Sequence, residues 1–148
     1  MQYQGFVAAV AMVATAGLAH AADQKITSKN LPPAVKATVE AESKGATVKG
    51  ISSERENGKT VYELETLVNG RTRDLMIDSA GKVYVVEEQL DAATAPAPVR
   101  TALEAKGRIV VLESVTRDGK TTYEGQVQPA KGKKIVLELN ADGTPVKK

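Results

Sequence analysis

Three glutamates have the types and spacing that could do chemistry in this sequence. Glu63 and Glu65 stand two apart in Tyr62-Glu63-Leu64-Glu65, and Glu124 follows Tyr123 in a matching local context. Residues two apart on a strand share a face, so such carboxylates could divide acid and base roles, as glycoside hydrolysis requires. That chemistry also needs a sugar cleft lined with aromatic rings, and beyond residue 21 the only aromatics are Tyr62, Tyr84 and Tyr123. Cysteine is absent and the single histidine, His20, lies near the amino terminus. The rest of the chain therefore offers neither an acid–base group poised near neutrality nor a thiolate nucleophile. Alternating glutamates on a strand ordinarily mean a solvated polar face. The sequence reads as that of a protein that is not an enzyme, with no catalytic residue and no cofactor.

Metal binding has one candidate pattern, Asp78-Ser79-Ala80-Gly81 and its counterpart Asn140-Ala141-Asp142-Gly143. A calcium loop needs oxygen ligands at alternating positions and a closing bidentate glutamate. The third and fifth positions counted from Asp78 are Ala80 and Lys82, and the fifth from Asn140 is Thr144. Hairpin turns account for these residues, and no metal is expected.

The elements that must position these groups follow from an internal repeat. Gly58-Lys59-Thr60-Val61-Tyr62-Glu63 recurs as Gly119-Lys120-Thr121-Thr122-Tyr123-Glu124, differing only at the fourth position. Upstream, Pro32 to Ala41 aligns with Pro96 to Ala105; downstream, Leu75 to Gly81 aligns with Leu137 to Gly143. In the first copy, Leu31, Val35 and Val39 recur every four residues behind Pro32-Pro33, which predicts a short helix closed by Gly45. Strands are expected at 47–55, 60–68, 71–78 and 82–87, separated by Asn57-Gly58, Asn69-Gly70 and Ser79-Ala80-Gly81 turns. Tyr62, Leu64, Thr66 and Val68 alternate with glutamates, and Tyr84 and Val86 match the inward register. In the second copy Thr94 is the candidate N-cap and Val99 and Leu103 the apolar helix face. Strands are expected at 109–116, 121–128, 133–140 and 144–147, the last an edge because Pro145 cannot donate to a ladder. Residues 22–29 read as a loose lead-in.

At the amino terminus, the apolar run Phe6 to Ala19 followed by Ala19-His20-Ala21 reads as a secretory signal cleaved after Ala21. The organisation expected is signal peptide 1–21, first repeat 22–90 and second repeat 91–148. Without cysteine, stability must come from burial rather than from disulfides. The formal charge of +2 is spread over interspersed acids and bases, which excludes a nucleic-acid footprint.

The order Leu31-Pro32-x-x-Val35, Gly58 to Glu63 and Asp78-x-x-Gly81, repeated as Pro96-x-x-Val99, Gly119 to Glu124 and Asn140-x-Asp142-Gly143, resembles the PepSY-like family. These exported bacterial domains are related in fold to the β-lactamase inhibitory protein. The resemblance implies an α+β fold: two tandem repeats, each a helix plus a four-stranded antiparallel sheet, with helices packed on one face of a joined sheet. It implies an exported protein, periplasmic or secreted, that inhibits or regulates an envelope or extracellular enzyme such as a peptidase; the sequence is further expected to give a monomer with no stable membrane insertion after signal cleavage. The resembling inhibitor has aromatic anchors and disulfides that this sequence lacks.

Candidate partner contacts are the hairpin residues Glu56, Asn57 and Asp118 and the sheet residues Val61, Glu63, Glu65, Leu67 and Glu124. Loops on a rigid scaffold commonly bind. Tyr62 and Tyr123 read as rings packed under the helices. Two further readings stand beside the regulatory one: an accessory module for a small ligand or cell-wall polymer, and a structural envelope protein without a stoichiometric target.

Overall fold

The chain was analysed as a computed structural model that describes residues 24–147. The expected signal segment 1–21 lies outside the described residues. Strand β1 (Gln24–Lys25) precedes helix α1 (Pro33–Glu42), then β2 (Thr47–Glu56), β3 (Lys59–Val68), β4 (Arg71–Asp78) and β5 (Val83–Gln89). Helix α2 (Ala97–Glu104) follows, then β6 (Arg108–Arg117), β7 (Lys120–Gln128) and β8 (Ile135–Leu139).

The expectation of two helix-plus-four-strand repeats packed on a joined sheet is corrected. One antiparallel sheet of eight strands, in the order β1 to β8, dominates the molecule, with two helices of only 10 and 8 residues. The strands divide unequally about α2 for two reasons. The lead-in is not loose: Gln24 and Lys25 pair with Ser53 and Ser52, and the Ile26 N–H donates to the Ile51 carbonyl at 2.9 Å. At the other end residues 144–147 do not form a strand, since only the bridge between Leu139 and Pro145 is made. The bridge is held by the Asn140 N–H to the Thr144 carbonyl at 2.8 Å and the Val146 N–H to the Glu138 carbonyl at 3.0 Å, so Pro145 takes a position that needs no donor.

Consecutive strands are joined by tight turns that the sequence specifies. At Asn57-Gly58, φ is +50° and +79°, and at Asp118-Gly119 it is +48° and +82°. Two successive positive φ values make the turn whose twist matches a β-hairpin, and Asn, Asp and Gly tolerate it best. Register breaks recur at equivalent places, between Val48 and Gly50 on β2 and between Ile109 and Val111 on β6.

Two apolar clusters form the core. Val35 and Val39 of α1, with Leu31 ahead of it, pack with Tyr62, Leu64, Leu75 and Ile77. Val99 and Leu103 of α2 pack with Ala95, Leu112, Val127 and Leu139. The halves solve one packing problem differently. Leu64 is matched in the second half by Gly125, and a Cβ there would lie 2.5 Å from a Leu103 methyl. Val39 beside Leu64 thus becomes Leu103 beside Gly125. Each helix also rests on a turn: a Cβ on Gly81 would meet the Ala34 carbonyl oxygen at 2.7 Å, and one on Gly143 the Pro98 oxygen at 2.7 Å.

Helix ends differ in detail from expectation. α1 ends at Glu42 with Ser43 as its cap, and Gly45 turns the chain afterwards with φ of +77°. α2 is preceded by Pro96, not capped by Thr94, whose hydroxyl instead donates to the Asp91 carbonyl at 2.8 Å.

Candidate functional site

Paired residues on antiparallel strands lie on the same face, so the register sorts the sheet. The cluster residues Tyr62, Leu64, Leu75, Ile77, Leu112 and Val127 occupy the helix side. Glu65 of β3 stands opposite Asp74 of β4, and Asp74 opposite Glu87 of β5. Glu113 of β6 stands opposite Glu124 of β7, and Glu124 opposite Glu138 of β8. Glu87 pairs with Val115, which puts Glu113 diagonally beside it. A band of carboxylates, one on each strand from β3 to β8, therefore crosses the face opposite the cores. No helix among the described residues packs on that face.

Like charges directly opposite across a ladder repel and destabilise it. Burial and the neighbouring Glu113, Glu124, Asp74 and Glu63 push the Glu87 carboxyl up to about 7. Burial raises Asp74 to about 6, with Glu65 adding to the effect, although its Oδ1 accepts the Thr66 N–H at 3.1 Å. Burial and Asp74 raise Glu113; burial, Glu113 and Glu138 raise Glu124. The desolvation has a visible source. Val61, Val85 and Val115 are 5%, 1% and 9% exposed, so the band rests on an apolar floor.

The ion pairs of the described residues lie elsewhere. Arg73 joins Glu42 at 3.0 Å and Glu88 at 3.2 Å on the helix side, tying the end of α1 to β4 and β5. Arg71 pairs with Asp91, Lys82 with Asp118, and Lys36 with Glu40.

Val61, Glu63, Glu65, Leu67 and Glu124 share the band's face by register. Val61 is buried, while the other four are partly exposed. Glu56 ends β2 and accepts the Tyr84 hydroxyl at 2.7 Å. Asn57 and Asp118 sit exposed at separate hairpin tips. Tyr84 links the two ends, because its carbonyl accepts the Asp118 N–H at 3.2 Å. The inward placement expected for Tyr84 is corrected. The register shifts between Met76 and Ile77, which lets the ring leave the alternation and reach Glu56. Burial and the Glu56 carboxylate push the Tyr84 hydroxyl upward. Tyr62 joins the first core cluster and Tyr123 packs against the second.

Asp74, Glu87, Glu113 and Glu138 of the band are not among the contacts expected from the sequence. Strand alternation placed Asp74 opposite the Leu75 side, which was a usable signal. Glu113 lies in an apolar run, and only the β5–β6 register brings it beside Glu87.

The two acidic turns are closed on themselves. Asp78 Oδ1 accepts the Ala80 and Lys82 N–H groups, both at 2.9 Å. Asp142 Oδ1 accepts the Thr144 N–H at 2.9 Å and its hydroxyl at 2.6 Å, and these bonds hold its carboxyl below the usual range. Between β5 and the β6–β7 hairpin lies an open depression of about 490 Å³ lined by Lys82, Val83, Tyr84, Val86, Thr116, Asp118 and Gly119.

Solved structures share this architecture. A DUF2874 family protein from Bacteroides uniformis superposes with a TM-score of 0.63 at 15% identity, covering 78% of this chain and 86% of that one. A BLIP-like protein from Bacteroides fragilis matches with a TM-score of 0.58 at 18% identity, covering 79% and 84%. The chain has the fold of a BLIP-like protein. A candidate periplasmic protein from Bacteroides eggerthii shares the fold as well, with a TM-score of 0.62 at 16% identity over 79% of this chain and 86% of that one. No protein-family model matches the sequence, and no curated protein does. The PepSY-like side of the resemblance rests on the sequence motifs alone.

Proposed function

We propose that this chain is an exported, non-catalytic protein of the periplasm or secreted medium that binds another protein through the helix-free sheet face. The partner in this reading is an envelope or extracellular enzyme such as a peptidase, which the chain regulates or inhibits. The observation that carries the reading is the carboxylate band on a face that no described helix covers. Strands hold these groups more rigidly than loops would, and charge arranged on a rigid face favours fast, selective encounter with a complementary surface. The fold shared with a BLIP-like protein and with a candidate periplasmic protein supports the binding role and the location. Few aromatics are available as anchors, so recognition depends on charge and main-chain shape more than on buried rings. We also propose the sequence units 22–90 and 91–148 as duplicated halves, each with its own core cluster.

The test uses the chain as bait in the source organism's periplasmic or secreted fraction, at a concentration that retains micromolar partners. A single stoichiometric enzyme is expected, its activity altered by added chain. Capture should be lost with a Glu113→Lys, Glu124→Lys variant that folds normally. A blank with the unaltered chain, or capture that survives charge reversal, would overturn binding through this face. The accessory-module alternative would use the depression beside Tyr84. Binding of a wall-derived saccharide that fails in Tyr84→Ala would favour it.

A further inference from the structure

We propose that the helix-free face is an acid-responsive device: mild acidification protonates Asp74 and Glu87 at the centre of its carboxylate band, removes negative charge from that face and tightens the sheet. The geometry that supports this is the ladder itself. Glu65, Asp74 and Glu87 form one run of directly opposite carboxylates across β3, β4 and β5. Glu113, Glu124 and Glu138 form a second across β6, β7 and β8. Directly opposite side chains in a sheet have Cβ atoms only about 4.5–5.5 Å apart. At that distance a row of ionised carboxylates opposes the pairing that holds the strands together.

The other charged groups on this face do not offset the band. Glu63 lies beside it and adds negative charge, as the Glu87 environment records. Glu54 and Glu56 of β2 and Asp78 of β4 face the same way by register. The cations on the face stand near strand ends. Lys25 of β1 is opposite Ser52, whose other neighbour is Glu63; Lys59 is opposite Glu56, and Arg117 is opposite Lys120 at the β6–β7 hairpin. Arg108 is opposite Gln128 at the other end of that pair. Lys134 lies just before β8. Among the described residues, no ion pair includes Glu65, Asp74, Glu87, Glu113, Glu124 or Glu138. Three neutral donors reach the band: Thr66 N–H to Asp74 at 3.1 Å, the Thr122 hydroxyl to Glu138 at 2.9 Å, and Thr72, whose hydrogen bond to Glu113 works against the upward push of burial. None of them brings positive charge.

The sign of the effect follows. Asp74 and Glu87 are raised to about 6 and about 7 in the fold, from 3.8 and 4.5. Between those limits the folded chain holds protons that the unfolded chain has released. Stability therefore falls as pH rises through this window, the reverse of ordinary acid denaturation. The penalty is complete above the folded values and is gone below the unfolded ones. The device requires no partner, so it stands or falls separately from the binding proposal.

The test is urea unfolding of the full chain at pH 5.0 and pH 8.0 in low salt, with and without Asp74→Asn, Glu87→Gln. The folded-to-unfolded ratio of the unaltered chain is expected to be at least about tenfold higher at pH 5.0. The double variant should lose most of that difference, chiefly by gaining stability at pH 8.0. Equal or lower stability at pH 5.0, or a full difference in the double variant, would overturn the proposal. Should the variant not fold, carbon-13 titration of the unaltered chain decides it. Asp74 and Glu87 carboxyl carbons are expected to titrate well above the ordinary carboxylate range, and midpoints near 4 for both would refute the device.

Discussion

Gly125→Ala tests the packing logic of the duplicated halves most sharply. The new Cβ would stand 2.5 and 2.6 Å from the two Leu103 methyl carbons, where relaxed carbon contacts need about 3.5–4.0 Å. Leu103 is fully buried and must move by about 1 Å against a filled cluster. Overpacking of this kind costs about 1–3 kcal/mol. Against it, alanine restricts the unfolded chain more than glycine does, which returns about 0.4–1 kcal/mol. Overpacking wins, and the net loss is about 1–2 kcal/mol. In urea the midpoint should fall by roughly 0.5–1 M with an unchanged slope. Leu103→Val alone should cost about 1 kcal/mol through lost burial. Combined with Gly125→Ala it should cost less than the sum, since valine on the helix beside a larger strand residue restores the Val39–Leu64 solution of the first half. A Gly125→Ala protein as stable as the parent, or strictly additive effects in the pair, would refute the reasoning.

Four further outcomes are expected. For Asp74 and Glu87, the stability difference between pH 5 and pH 8 should reach about 1.4–2 kcal/mol in favour of pH 5, after allowance for solvent screening of partly exposed groups, and should shrink in high salt. Gly81→Ala and Gly143→Ala should each lower the thermal midpoint, because both residues have positive φ and each added Cβ would strike a helix carbonyl at 2.7 Å. Arg73→Met should cost about 1 kcal/mol and lessen the salt dependence of stability, since it frees Glu42 and Glu88 from their shared guanidinium. Tyr84→Phe should cost about 1 kcal/mol by leaving Glu56 without its hydroxyl donor, measured by urea unfolding.

Local chemistry in the sequence determined the elements and their turns. Asn57-Gly58, Asn69-Gly70 and Asp118-Gly119 fixed three hairpins because few residues tolerate two positive φ values in succession. The four-residue spacing of Val35 and Val39, and of Val99 and Leu103, fixed which helix face would be buried. Alternation put Val61, Glu63, Glu65 and Leu67 on one face of β3. What the tertiary structure alone decided was everything that depends on which strand lies beside which. The lead-in became β1 because β2 offered a free edge, while residues 144–147 add only a single bridge to β8. The bulge in the β4–β5 ladder turned Tyr84 toward Glu56, against the simple alternation. The carboxylate band is the fullest case. Its members are scattered from Glu65 to Glu138, each unremarkable in its own strand. A register fixed by hydrogen bonds places them opposite one another, and burial together with that proximity raises the carboxyls of Asp74, Glu87, Glu113 and Glu124.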